Sequence, residues 1–153
     1  VIYVEFIHMS SDGVNLMDGP NLYVHRNENY VGLVRPNTWA SQTIDELSPL
    51  PGDLVFPKSR GSAFRGTPLD SQLRARQIRN LILTGIATSG CVLSTHSDAM
   101  MSGYYPVVIS DAVAAFSKEV HQPALDWMSR RAPVFKTEEV LKVWRNSTTE
   151  PNT

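Results

Sequence analysis

The stretch that most constrains this sequence is Asn80 to Ile86 (NLILTGI), a nearly uninterrupted apolar run followed at once by the small-residue turn ATSG. A strand that is apolar on all sides is covered on both faces, which is the condition of a parallel sheet between helices. Other segments repeat the pattern. Val1 to Ile7 (VIYVEFI), Asp53 to Pro57 (DLVFP), Pro106 to Ser110 (PVVIS) and Val134 to Lys136 read as further strands. Helical stretches separate them. Thr38 to Leu47 puts Trp39, Thr43, Ile44 and Leu47 on one helical face before Pro49 and Pro51 stop it. Thr67-Pro68-Leu69-Asp70 combines a capping hydroxyl, a first-turn proline and a carboxylate, opening a helix to about Ile78. A helix from about Cys91 to Ser102 is closed by Gly103. Another runs from the Ser117 cap to about Arg131, with Pro123 tolerable only near its first turn, and a last one spans Glu138 to Trp144 behind Thr137. This order predicts a three-layer α/β/α fold with a mainly parallel sheet, one domain over 1–145, and a flexible tail over 146–153.

Composition narrows the function. A chain of 153 residues, 42% of them hydrophobic, has one domain's length and enough apolar matter for a core. Fourteen Lys and Arg stand against 15 Asp and Glu, and neither sign forms a block, so there is no footprint for nucleic acid or an anionic membrane. The expected partners are a small molecule and further copies of the chain. A single cysteine leaves no internal disulfide, no apolar run approaches the roughly 18 residues of a membrane span, and Val1 to Ile7 lacks the basic flank of a signal peptide. A cytoplasmic location is expected. His8 to Asn37, rich in Asn, Gly and Asp, reads as a long excursion or a lid.

Cys91 follows a strand and a tight glycine-containing turn at the opening of a helix, the setting of a nucleophile elbow in which N–H groups stabilise a thiolate. The alternative is a buried structural cysteine, the commoner fate of a lone one. Lys58 ends a short strand, on the edge where open α/β sheets place ligands, and the small and aromatic residues of KSRGSAF suit a shaped pocket. Its alternative is a plain solvated lysine. Arg60, Arg65 and Phe64 suit a carboxylate with an apolar body, or else are surface groups. His96 is turned roughly 140° from Cys91 on a helix, which argues against a local dyad. His8, His25 and His121 reach the site only through tertiary folding and read as ordinary histidines. Zinc-type spacings, a Walker loop and the dinucleotide fingerprint are all missing, so neither metal nor cofactor is expected.

Three segments, GDLVFPKSRGSAFRGTPLD from Gly52, LILTGIATSGCVLSTHSDAMMSGYYPVVISDA from Leu81, and HQPALDWM with VFKTEEVL after it, resemble the isochorismatase-like cysteine hydrolase superfamily. That superfamily includes nicotinamidases, N-carbamoylsarcosine amidohydrolases and ureidoacrylate or biuret hydrolases. The resemblance covers most of Trp39 to Leu141. It implies an Asp–Lys–Cys set in which Cys91 matches the nucleophile and Lys58 the lysine that supports the thiolate. The aspartate is expected upstream of Val1, because Val1 to Ile7 matches the family's second strand and the first strand and helix are not in this chain. A non-proline cis peptide is implied at Ile86–Ala87, and the Ala87 and Cys91 N–H groups match an oxyanion hole. Trp39, Arg60, Phe64 and Thr95 are the candidate substrate contacts. FIHMSSDG does not reproduce the nicotinamidase Asp-x-His pattern, which counts against bound zinc. The implied protein is a cofactor-independent homo-oligomer. It hydrolyses a small amide or carbamoyl C–N bond through a Cys91 thioester, or an isochorismatase-type vinyl ether. The alternative is a non-catalytic fragment or pseudoenzyme that keeps the pocket without the aspartate.

Overall fold

A computed structural model of the chain describes residues 1–7, 34 and 36–147. Nearly all of the expected excursion from His8 to Asn37, the FIHMSSDG motif beyond Ile7, His8, His25 and most of the expected tail lie outside the described residues. The chain divides into two compact units, Val1–Leu69 and Asp70–Thr153. No helix among the described residues is long and apolar enough to cross a membrane.

In the first unit, β1 (Ile2–Phe6) and β2 (Leu54–Lys58) pair in parallel, in register from Ile2 with Leu54 to Phe6 with Lys58. The helix expected over Thr38 to Leu47 does not form. Two 3-10 turns, Trp39–Ser41 and Asp45–Leu47, stand in its place, and Gln42 and Ile44 between them are extended. Trp39, Ile44 and Leu47 are all exposed, so a helix there would gain no burial to offset the cost of ordering it. Thr43 instead donates its hydroxyl to the Glu5 carboxylate, which ties an extended segment to β1.

The next helix, α1 (Leu69–Ala75), opens as the sequence predicts, with the Leu69 N–H donating to Thr67 Oγ1 at 3.2 Å. It ends short of Ile78 because Gln77 takes the left-handed conformation at φ 56°. The Ile78 N–H then bonds the Leu73 carbonyl and the Gln77 N–H that of Arg74, both at 2.9 Å, which is a Schellman closure.

The second unit is a βαβαβ chain. Its strands β3 (Asn80–Ile86), β4 (Tyr105–Ala114) and β5 (Val134–Phe135) form a parallel sheet in the order β3-β4-β5. The helices α2 (Leu93–Met101) and α3 (Lys118–Ser129) lie in the two connections, and α4 (Thr137–Ser147) follows. Parallel neighbours need crossovers of this kind. Gly103, at φ 84°, closes α2 in a second Schellman motif, with the Tyr104 N–H on the Ala99 carbonyl and its own on that of Met100. Pro123 sits in the second turn of α3 rather than the first, on an exposed position, so the carbonyl it leaves without an intrahelical donor belongs to exposed Glu119.

The core of this unit joins Val92, Val108, Val113, Leu125 and Met128, with Leu83, Leu93 and Val134 packed against it. β4 runs longer than the sequence predicts. Its pairing with β3 is broken between Leu83 and Gly85: Leu83 faces Val108, but Gly85 faces Val113. The looped-out stretch carries Asp111, whose carboxylate accepts from the Thr137 N–H (2.8 Å) and hydroxyl (2.9 Å) at the start of α4. These two bonds hold the Asp111 carboxyl below the usual carboxylate range. At the other end of the sheet, the Tyr104 hydroxyl donates to Asp70 at 2.8 Å while Arg74 pairs with the same carboxylate at 2.9 Å.

Candidate active site

In the first unit the candidate residues gather at the end of β2. Lys58, 5% exposed, donates from Nζ to the carbonyl oxygens of Arg60 and Gly61, both at 2.9 Å. Its ammonium also lies 4.6 Å from the centroid of the Phe6 ring, on the strand position paired with it. Two carbonyls and an aromatic face make a setting that suits a buried cation. The solvated-lysine alternative is overturned by this burial. The loop that follows is shaped by Ser62, also buried, whose Oγ accepts from the Phe64 N–H at 3.2 Å. Arg60 and Phe64 are half-buried there, whereas Trp39 is 88% exposed.

In the second unit Ala87, Cys91 and Thr95 lie on one continuous segment. The chain leaves β3 through the Ile86–Ala87 peptide, which is cis, and enters a π-helical turn over Thr88–Val92 that runs straight into α2. Cys91 therefore stands inside a wider turn, not in the first turn of a regular helix as expected. The Ala87 carbonyl accepts from the Gly90 N–H at 3.0 Å and the Val92 N–H at 3.1 Å, and these bonds define the turn. Cys91, the chain's single cysteine and so in no internal disulfide, is half-buried; Thr95 is buried one helical turn further on.

Two histidines behave differently from the sequence reading. His121, on the first turn of α3, places Nδ1 2.9 Å from Oγ1 of the fully buried Thr88. Local spacing gave no sign of this, since the partners are far apart in sequence. His96 is fully buried on α2, edge-on to Trp127, and neither of its ring nitrogens has a hydrogen-bond partner among the described residues. Burial, helped by the charge of Arg131, lowers its pKa. Among the described residues no group of three or more His, Cys, Asp or Glu is placed to hold a metal ion.

Comparison with known proteins gives this geometry a family. Over 80 residues the chain is 55% identical to a ureidoacrylate amidohydrolase of Cronobacter sakazakii, a stretch that is 52% of this chain and 34% of that protein. The chain thus aligns with only about a third of the length of the curated relatives it matches. A cysteine hydrolase from Pseudomonas syringae pv. phaseolicola superposes with a TM-score of 0.82 at 25% identity, over 92% of this chain and 70% of its own. The N-carbamoylsarcosine amidase of Thermoplasma acidophilum superposes at 0.68 and 30% identity, over 88% and 70%. The strand–turn–helix around Cys91 and the strand ending in Lys58 both lie within residues 1–139, which match the isochorismatase domain model, and the chain belongs to the isochorismatase family.

Proposed function

We propose that this protein is a cysteine-dependent hydrolase that cleaves the C–N bond of a small amide or carbamoyl compound. The observation that carries the reading is the position of Cys91, the chain's single cysteine, in the turn between the carboxyl end of β3 and α2. Similarity to a ureidoacrylate amidohydrolase and an N-carbamoylsarcosine amidase supports the amide over other bonds.

In this reading the Cys91 thiolate attacks the substrate carbonyl carbon, forming a C–S bond as the carbonyl π electrons move to oxygen. The Ala87 and Cys91 N–H groups are assigned to that oxyanion. Collapse re-forms the carbonyl and breaks the C–N bond, and the nitrogen leaves as ammonia or an amine with a proton from the aspartate that the family resemblance expects. Water then adds to the thioester, its proton returns to that aspartate, and the thiolate departs with the acid product released. Lys58 is assigned to support the thiolate, and Arg60, Phe64 and Thr95 to the substrate. Trp39, 88% exposed, is assigned to the substrate with them.

The test is product release by the full-length protein and its Cys91→Ala variant across ureidoacrylate, N-carbamoylsarcosine, simple amides and isochorismate. Amide turnover that falls by about a thousandfold or more in C91A is expected, with a thioester adduct trapped by mass spectrometry. Turnover unchanged in C91A, or confined to isochorismate, overturns the reading.

A further inference from the structure

We infer that His121 is a positioning residue for the Cys91 turn, acting through the hydroxyl of Thr88. The inference rests on the reading of Cys91 as nucleophile. Thr88 is the first residue of the π-helical turn and is fully buried, so its hydroxyl has no access to water and needs a partner within the protein. His121 Nδ1 supplies one at 2.9 Å. The main chain at His121 is anchored in the first turn of α3, where its N–H donates to the Ser117 carbonyl at 3.1 Å. At the other end of the turn, Val92 packs in the same core cluster as Leu125 and Met128 of α3. One helix therefore holds both ends of the five-residue turn, polar contact at Thr88 and apolar contact at Val92, with Cys91 between them.

The chemistry gives this tie a function. A thiolate in such a turn is stabilised by the N–H groups aimed at it, and those directions depend on where the first residue of the turn is anchored. Releasing Thr88 leaves the Ala87 carbonyl bonds in place but frees the turn to tilt about them. The nucleophile loses alignment and substrate contacts elsewhere are left intact. The expected signature is a loss in kcat with little change in KM.

The experiment compares the full-length wild type with Thr88→Val, Thr88→Ser, His121→Ala, His121→Asn and the T88V/H121A pair. The readouts are kcat, KM and the rate of Cys91 alkylation by iodoacetamide. T88V and H121A are each expected to lower kcat by about tenfold with KM within about threefold, and to slow alkylation. The double variant should be no worse than the worse single one, because both remove the same contact. Serine at 88 and asparagine at 121 keep a hydrogen-bonding group in place and should restore the rate to within about threefold. Near-wild-type rates in T88V, or losses that multiply in the double variant, overturn the inference. T88V is nearly isosteric and decides the matter should H121A fail to fold. Alkylation reports on the thiol without any substrate, so slowed alkylation in T88V supports the positioning role even if amide turnover proves independent of Cys91 and the hydrolase reading falls alone.

Discussion

His96 carries a cost that the fold accepts: a polar ring wholly inside the protein, edge-on to Trp127, with both nitrogens unpartnered among the described residues. Its pKa is lowered from 6.5 by burial first and by Arg131 second, so the folded state binds its proton less readily than the unfolded chain does. The stability it contributes is therefore full above about pH 6.5 and is lost as the pH falls from there through the lower folded value. Urea unfolding at about pH 7.5 and about pH 5 should show the midpoint falling on acidification, and falling less in His96→Leu, which has nothing to protonate. An equal drop in both proteins would place the acid sensitivity elsewhere. The strand and helix that bracket Cys91 were legible because both are local in sequence, but the wider turn between them and the two carbonyl partners of Lys58 were not, since they depend on backbone geometry that residue types do not announce. His121 was not legible, because its partner lies 33 positions away and no periodicity connects the two.

Helix ends show where element-level reading works and where it fails. Gly103 was recognisable as a terminator because glycine is the residue that takes a left-handed angle without penalty. Gln77 makes the same closure for α1 with a side chain in the way, and nothing in its identity announces it. The contrast predicts the size of one substitution. A Cβ added at Gly103 would meet no atom within 4 Å, so the penalty of Gly103→Ala is conformational alone, about 1 kcal/mol, with asparagine costing less. Chemical denaturation of both variants checks this, and a cost above about 3 kcal/mol would point to a steric clash instead. The segment from Thr38 to Leu47 failed for the opposite reason. Its helical spacing is real, but its apolar residues Trp39, Ile44 and Leu47 are exposed, and Thr43, between two extended residues, bonds to Glu5.

For the molecule as a whole, the alternation of apolar strands with helices was sufficient to give a mixed α/β fold with parallel pairing, and the match over residues 1–139 agrees with it. The irregularity in β4 was not legible: the sequence pointed to a strand over Pro106 to Ser110 alone, and both the extension to Ala114 and the break in pairing depend on a neighbour. That break divides β3 into two ladders. Asn80 to Leu83 pair with Tyr105 to Val108 in one register, while Gly85 and Ile86 pair with Val113 and Ala114 in another. The first ladder includes the core residue Val108 and Leu83 packed against the core, whereas Ile86 is 71% exposed. The two stretches need not open together. Native-state hydrogen exchange should find the amides of Ile82 and Leu83 released only with global unfolding, and those of Gly85 and Ile86 released by a smaller excursion. A segment that breathes independently of its sheet, directly ahead of the cysteine turn, would let the turn rearrange while the core stays shut, whereas uniform exchange along β3 would show that strand and turn move as one body.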